Sequence, residues 1–148
     1  MQSTHKYLVL LITMLFLQSC AVYAAYGLYR TVTDISATLT RIDNSIVRIQ
    51  QVLDEGKNLK RAADDGTFIS TLAEKIPSLI QNEVELVAKE KIEKLSSALS
   101  LSSLDFTKNA LAEDLSGARK AYDEMSDIFA KFTGLMSDLT DSIGEPLQ

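Results

Sequence analysis

Behind an opening run that carries no charge, apolar residues recur along this chain in three stretches of helical period. The first holds Val32, Ile35, Leu39, Ile42, Ile46, Ile49 and Leu53, spaced alternately three and four residues apart. That spacing is a heptad seam, and the intervening Asp34, Arg41, Asn44 and Arg48 fall off it. The register puts Val32, Leu39, Ile46 and Leu53 at a, and Ile35, Ile42 and Ile49 at d. Isoleucine at d opposite leucine at a disfavours a parallel pair and favours three or four helices. Gly56 is the expected stop. A second apolar face, from Leu79, Ile80 and Val84 through Val87, Ile92, Leu95 and Leu99, predicts a helix over about 78–99. A third stripe runs Leu111, Leu115, Ala118, Tyr122, Met125, Phe129, Phe132, Met136, Leu139 and Ile143, with Gly144 and Pro146 as its stop.

Punctuation between the stripes sets the expected boundaries. Asp65-Gly66 reads as a turn, and Thr67–Lys75 as a short helix that Pro77 ends. Five serines between Ser96 and Ser103 predict a bend, because serine competes with the helical backbone for hydrogen bonds. The expected organisation is a membrane or signal segment over 1–30, a heptad-patterned helix over 31–56, and a linker with a short helix over 57–77. A helical hairpin over 78–144 follows, with helices at about 78–99 and 104–143. The fold class is all-α. An N-terminal membrane-spanning or signal helix continues into an elongated helical bundle or coiled coil of three long helices.

The opening run extends from Tyr7 to Tyr29, between Lys6 and Arg30. Its 23 uncharged residues would cross a hydrocarbon core of about 30 Å as a helix. Tyr23, Tyr26 and Tyr29 near its end suit a lipid–water interface. Three processing outcomes fit: a retained single-pass anchor, a signal cleaved near Val22-Tyr23-Ala24, or lipidation of Cys20. The third rests on Leu17-Gln18-Ser19-Cys20, which resembles a bacterial lipoprotein cleavage box, although Gln18 is unusual there. Otherwise Cys20 is an inert buried thiol. Charge at the two ends of the run places the helical domain on the non-cytoplasmic side. Cleavage would leave a periplasmic or secreted domain.

Composition narrows the function classes. Of fifteen basic residues only Lys6 precedes Arg30, and none of the twenty acidic residues does. The remainder of the chain is therefore more acidic than the net −5 of the whole, which repels nucleic acid and gives no polybasic lipid attachment. A single cysteine excludes an internal disulfide, and the one histidine, His5, sits in the terminal tail. Neither a zinc ligand set nor a glycine-rich phosphate loop is present. Asp64/Asp65 and Asp123/Glu124 are adjacent on helices, so their carboxylates diverge onto solvated faces.

These observations set the expectation of a non-enzymatic, membrane-tethered helical scaffold or assembly protein with no metal or cofactor. It would act by coiled-coil association with its own copies or with another helical protein. The first seam, Val32 to Leu53, is the expected interaction surface. The second is the aromatic and methionine cluster Tyr122, Met125, Phe129, Phe132 and Met136. The rival expectations are an exported bundle that binds a lipid or apolar ligand, and a membrane-active toxin or immunity-type protein.

Overall fold

The computed structural model describes the backbone of residues 2–82 and 84–144, and side chains from Ala25 to Ser142 except Glu83. Four helices follow one another: α1 (Gln2–Glu55), α2 (Leu59–Lys75), α3 (Leu86–Leu111) and α4 (Leu115–Gly144). A 3₁₀ turn, Ile76–Leu79, follows α2. No strand occurs among the described residues.

The side-by-side pairs are α1 with α2, α2 with α3, α3 with α4, and α4 with α1. Short connections at 56–58 and 112–114 force antiparallel neighbours, so the chain runs up, down, up and down. Gly56 adopts φ +63°, and its amide bonds back to Val52 O at 3.0 Å, which ends α1 in the left-handed geometry that glycine favours. Asp114 starts α4 by accepting the Gly117 amide at 3.0 Å. Arg119 donates to the carbonyl of Leu53 at 3.0 Å, so the first turns of α4 satisfy the last carbonyls of α1. At the opposite end, the Gln81 amide donates to the buried Thr31 hydroxyl at 2.9 Å, which fixes the α2–α3 connection level with Thr31.

Two expected boundaries are corrected. The region 57–77 is not a linker with a short helix. The helix α2 starts at Leu59 and passes through Asp65-Gly66 without a turn. One face of it, Ala62, Ala63, Gly66, Ser70 and Ala73, is buried. A Cβ on Gly66 would lie 2.5 Å from Thr107 Oγ1 and 3.2 Å from Ser103 O. The glycine is there to let α3 approach, and the surrounding helix is held by its neighbours rather than by its own propensity.

The serine-rich segment 96–103 is likewise not a bend. It lies in the middle of α3, which runs from Leu86 rather than Ser78 and ends at Leu111 rather than near Leu99. Ser96 donates to Ile92 O at 2.8 Å and Ser103 to Leu99 O at 2.6 Å, so these hydroxyls satisfy themselves within the helix. Ser70 and Ser100 bond across the helix pair at 2.8 Å. Their small volume brings α2 and α3 together where larger side chains would hold them apart. The chain instead reverses at Ala112–Asp114, where Glu113 takes φ +57°.

Among the described residues, no helix is long and apolar enough to cross a membrane. The side chains of the run's first eighteen residues, 7–24, lie outside the described ones, and Cys20, the expected site of lipidation, is among them. Ile143 and Pro146 also lie outside the described side chains.

Candidate functional site

All seven residues of the first seam are buried in this single chain; Ile35, Ile42 and Ile49 are 0% exposed. Of the second set, Met125, Phe132 and Met136 are buried, while Tyr122 and Phe129 are half-buried against the same cluster. The fold thus brings both sets into one core. The sulfur of Met125 lies 3.3 Å from Ser103 Oγ, linking that core to the small-residue face of α3. Within the single chain, α2 and α4 pack directly against α1, and both sets share one cluster with α3.

Polar contacts tie the helices together. Arg48 on α1 donates from Nε to Asp65 Oδ1 on α2 at 3.0 Å, makes a second contact to the same oxygen through Nη2, and reaches Ser45 Oγ at 2.7 Å. The hydrogen bond to Asp65 raises the Arg48 pKa above the usual arginine value, with desolvation working against it and Coulomb attraction adding to it. Arg41 stands 5.3 Å from the centroid of the Phe68 ring, a further α1–α2 contact. Lys60 and Glu113 pair at 2.9 Å across the end of the bundle, both largely exposed, so the pair adds little stability. No group of three or more histidine, cysteine, aspartate or glutamate side chains is gathered for a metal among the described residues.

Two surface features have the size and composition to bind something. A groove of about 480 Å³ lies between α1 and α4, with Leu39, Phe129 and Met136 at its floor and Thr40, Asp43 and Thr133 on its rim. At the end of the bundle nearest the uncharged run, a hollow of about 520 Å³ is lined mainly by Ala25, Leu28, Val84, Val87, Leu135 and Leu139, with Glu85, Lys91 and Asp138 also in its wall. Several large apolar side chains lie outside the core. Leu101, Leu104 and Leu111 mark the outer face of α3, and Leu86 and Val87 its first turn. Sequence reasoning missed the outer leucines because the expected bend covered Leu101 and the expected third helix took in Leu104 and Leu111, which instead lie on α3. Their spacing of three and seven residues along one uninterrupted helix is the signal that finds them. The apolar period places Val87 on a buried face that starts at Leu79, but α3 begins only at Leu86 and turns Val87 outward.

The described residues define an all-helical protein of four packed helices. Compared with known proteins, the chain matches no family model, no curated protein and no solved structure.

Proposed function

We propose that this is a membrane-tethered, non-enzymatic helical scaffold or assembly protein that associates with further copies of itself. One observation carries the reading. From Gln2 to Glu55 the chain is a single helix, so the uncharged run Tyr7–Tyr29 and the buried seam from Val32 onward belong to one rod. At 1.5 Å per residue its 54 residues measure about 81 Å, against about 45 Å for the 30 residues of α4. Such a rod ties the folded bundle directly to a bilayer.

Association then uses the outside of the bundle, since the seam is covered from within. Leu101, Leu104 and Leu111 are 65%, 45% and 56% exposed on α3. A second copy is the partner that fits, because tethering confines identical chains to a plane and raises their effective concentration. The bundle stands on the non-cytoplasmic side, with Lys6 as the inward flank.

Carbonate extraction of membranes tests the tether; release of the intact chain into the wash overturns it. Mass measurement of the full chain in lipid nanodiscs tests assembly. The expected result is an oligomer for the wild type and a monomer for Leu101→Glu/Leu104→Glu at unchanged thermal stability. A monomeric wild type, or a double variant that still assembles, overturns the self-association.

The α1–α4 groove favours a second reading, a bundle that holds an apolar ligand against Phe129 and Met136. Native mass spectrometry of protein from its source membrane separates the two, because the scaffold carries no stoichiometric small molecule.

A further inference from the structure

The hollow at the end of α1's uncharged run adjoins an unusual set of exposed side chains. Tyr26 is 62% exposed, Tyr29 58%, Leu86 69% and Val87 62%. Tyr26 and Tyr29 sit on α1, and Leu86 and Val87 form the first turn of α3. Two adjacent aliphatic residues stand exposed in the first turn of the helix, where neither is covered by the bundle. Glu85, at the cap position, makes no side-chain hydrogen bond to the turn.

Their height along the bundle is fixed by contacts. The Gln81 amide bonds to Thr31 Oγ1, and Val87 faces Ala25 and Leu28 across the hollow. All four residues therefore lie level with the last turns of the run Tyr7–Tyr29. As a helix those 23 residues measure about 34 Å, slightly more than the roughly 30 Å hydrocarbon core. The end of the run falls in the headgroup layer, where tyrosine is favoured.

We propose that this end of the bundle rests on the bilayer, with Leu86 and Val87 inserted into the headgroup layer beside Tyr26 and Tyr29. The inference rests on the tether proposed above and adds that the domain lies against the lipid rather than standing clear of it. The charges nearby are mixed: Arg30, Lys89 and Lys91 against Glu85, Glu90, Asp138 and Asp141. Contact is therefore made by apolar insertion and does not require anionic lipid.

Because the chain has no tryptophan, a single one reports its own surroundings. Full-length Val87→Trp would be compared with Val47→Trp, which sits on the exposed side of α1 higher up the bundle. Both are reconstituted in phosphatidylcholine vesicles with and without lipids brominated near the headgroup. The expected result is flotation of both proteins with the vesicles and several-fold stronger bromolipid quenching of Val87→Trp. Flotation with equal, weak quenching at both positions overturns the contact and leaves the tether standing. Failure of both proteins to float overturns contact and tether together. A concentration-dependent blue shift of Val87→Trp in detergent, with no bromolipid quenching in vesicles, assigns the patch to a second copy and overturns the lipid contact.

Discussion

Gly66 shows how much one missing methyl group decides. It occupies the middle of a helix, where glycine is about 1 kcal/mol worse than alanine. On propensity alone Gly66→Ala should stabilise. Its Cβ, however, would meet Phe106 Cδ1 at 2.9 Å and Thr107 Oγ1 at 2.5 Å, with the Ser103 carbonyl at 3.2 Å behind them. Phe106 is fully buried and the carbonyl is backbone, so neither gives way easily. Overpacking of this kind costs about 1–3 kcal/mol and outweighs the propensity gain. Gly66→Ala should therefore lower the denaturation midpoint in urea, and a raised midpoint would show that α2 and α3 are not so closely packed. The neighbouring hydroxyls follow the same logic. Ser100 bonds to Ser70 and to Glu74 Oε1 at 3.1 Å, so Ser100→Ala leaves the buried Ser70 short of a partner. Such a loss typically costs about 1–3 kcal/mol in the same measurement, and an unchanged midpoint would show that the pair does not contribute.

At the scale of elements, the apolar periods located the seam of α1 and α4 from Leu115 onward, because isoleucine, leucine and phenylalanine mark a buried face without help, whereas residues 104–111, expected on the same helix as Leu115, belong to α3. The face of α2 was less legible. Leu59, Ile69 and Leu72 are buried on it at helical spacing, but small residues fill the positions between them and Asp65-Gly66 in the middle reads as a turn. The serines of α3 misled for a related reason: a hydroxyl competes with the backbone in a free helix but bonds to the preceding turn in a packed one. The outer leucines escaped because the expected bend took in Leu101 and the expected third helix took in Leu104 and Leu111, and the true start of α3 escaped because Leu79, Ile80 and Val84 extended its apolar face back toward Ser78. Leu101 offers a direct check on its continuity. The residue is 65% exposed and lies mid-helix, so Leu101→Pro disturbs the backbone with little loss of packing. In an uninterrupted helix the change costs about 3 kcal/mol or more, whereas a bend would absorb it. A strong drop in thermal midpoint is expected; a drop no larger than that of Leu101→Ala would restore the bend.

For the molecule as a whole, the question is whether the seam of α1 holds one chain together or joins several. The heptad register calls for three or four helices, and α2, α3 and α4 fill that requirement within a single chain. Ile42, 0% exposed at the centre of the seam, separates the alternatives. If the seam were an interface between copies, Ile42→Ala would shift an assembly equilibrium and make stability depend on protein concentration. In the closed bundle it instead removes core packing, a loss of about 2–5 kcal/mol independent of concentration. Ile42→Asp goes further, since an unpaired carboxylate buried there cannot be accommodated within a total stability of about 5–15 kcal/mol. The expected outcome is a loss of cooperative unfolding in Ile42→Asp. Ile42→Ala should have a lowered midpoint that does not move across a hundredfold range of protein concentration. A midpoint that rises with concentration would mean that the helices pair between chains. The outer leucines of α3 would then be surplus to assembly, and Leu101→Glu/Leu104→Glu should leave the oligomer intact.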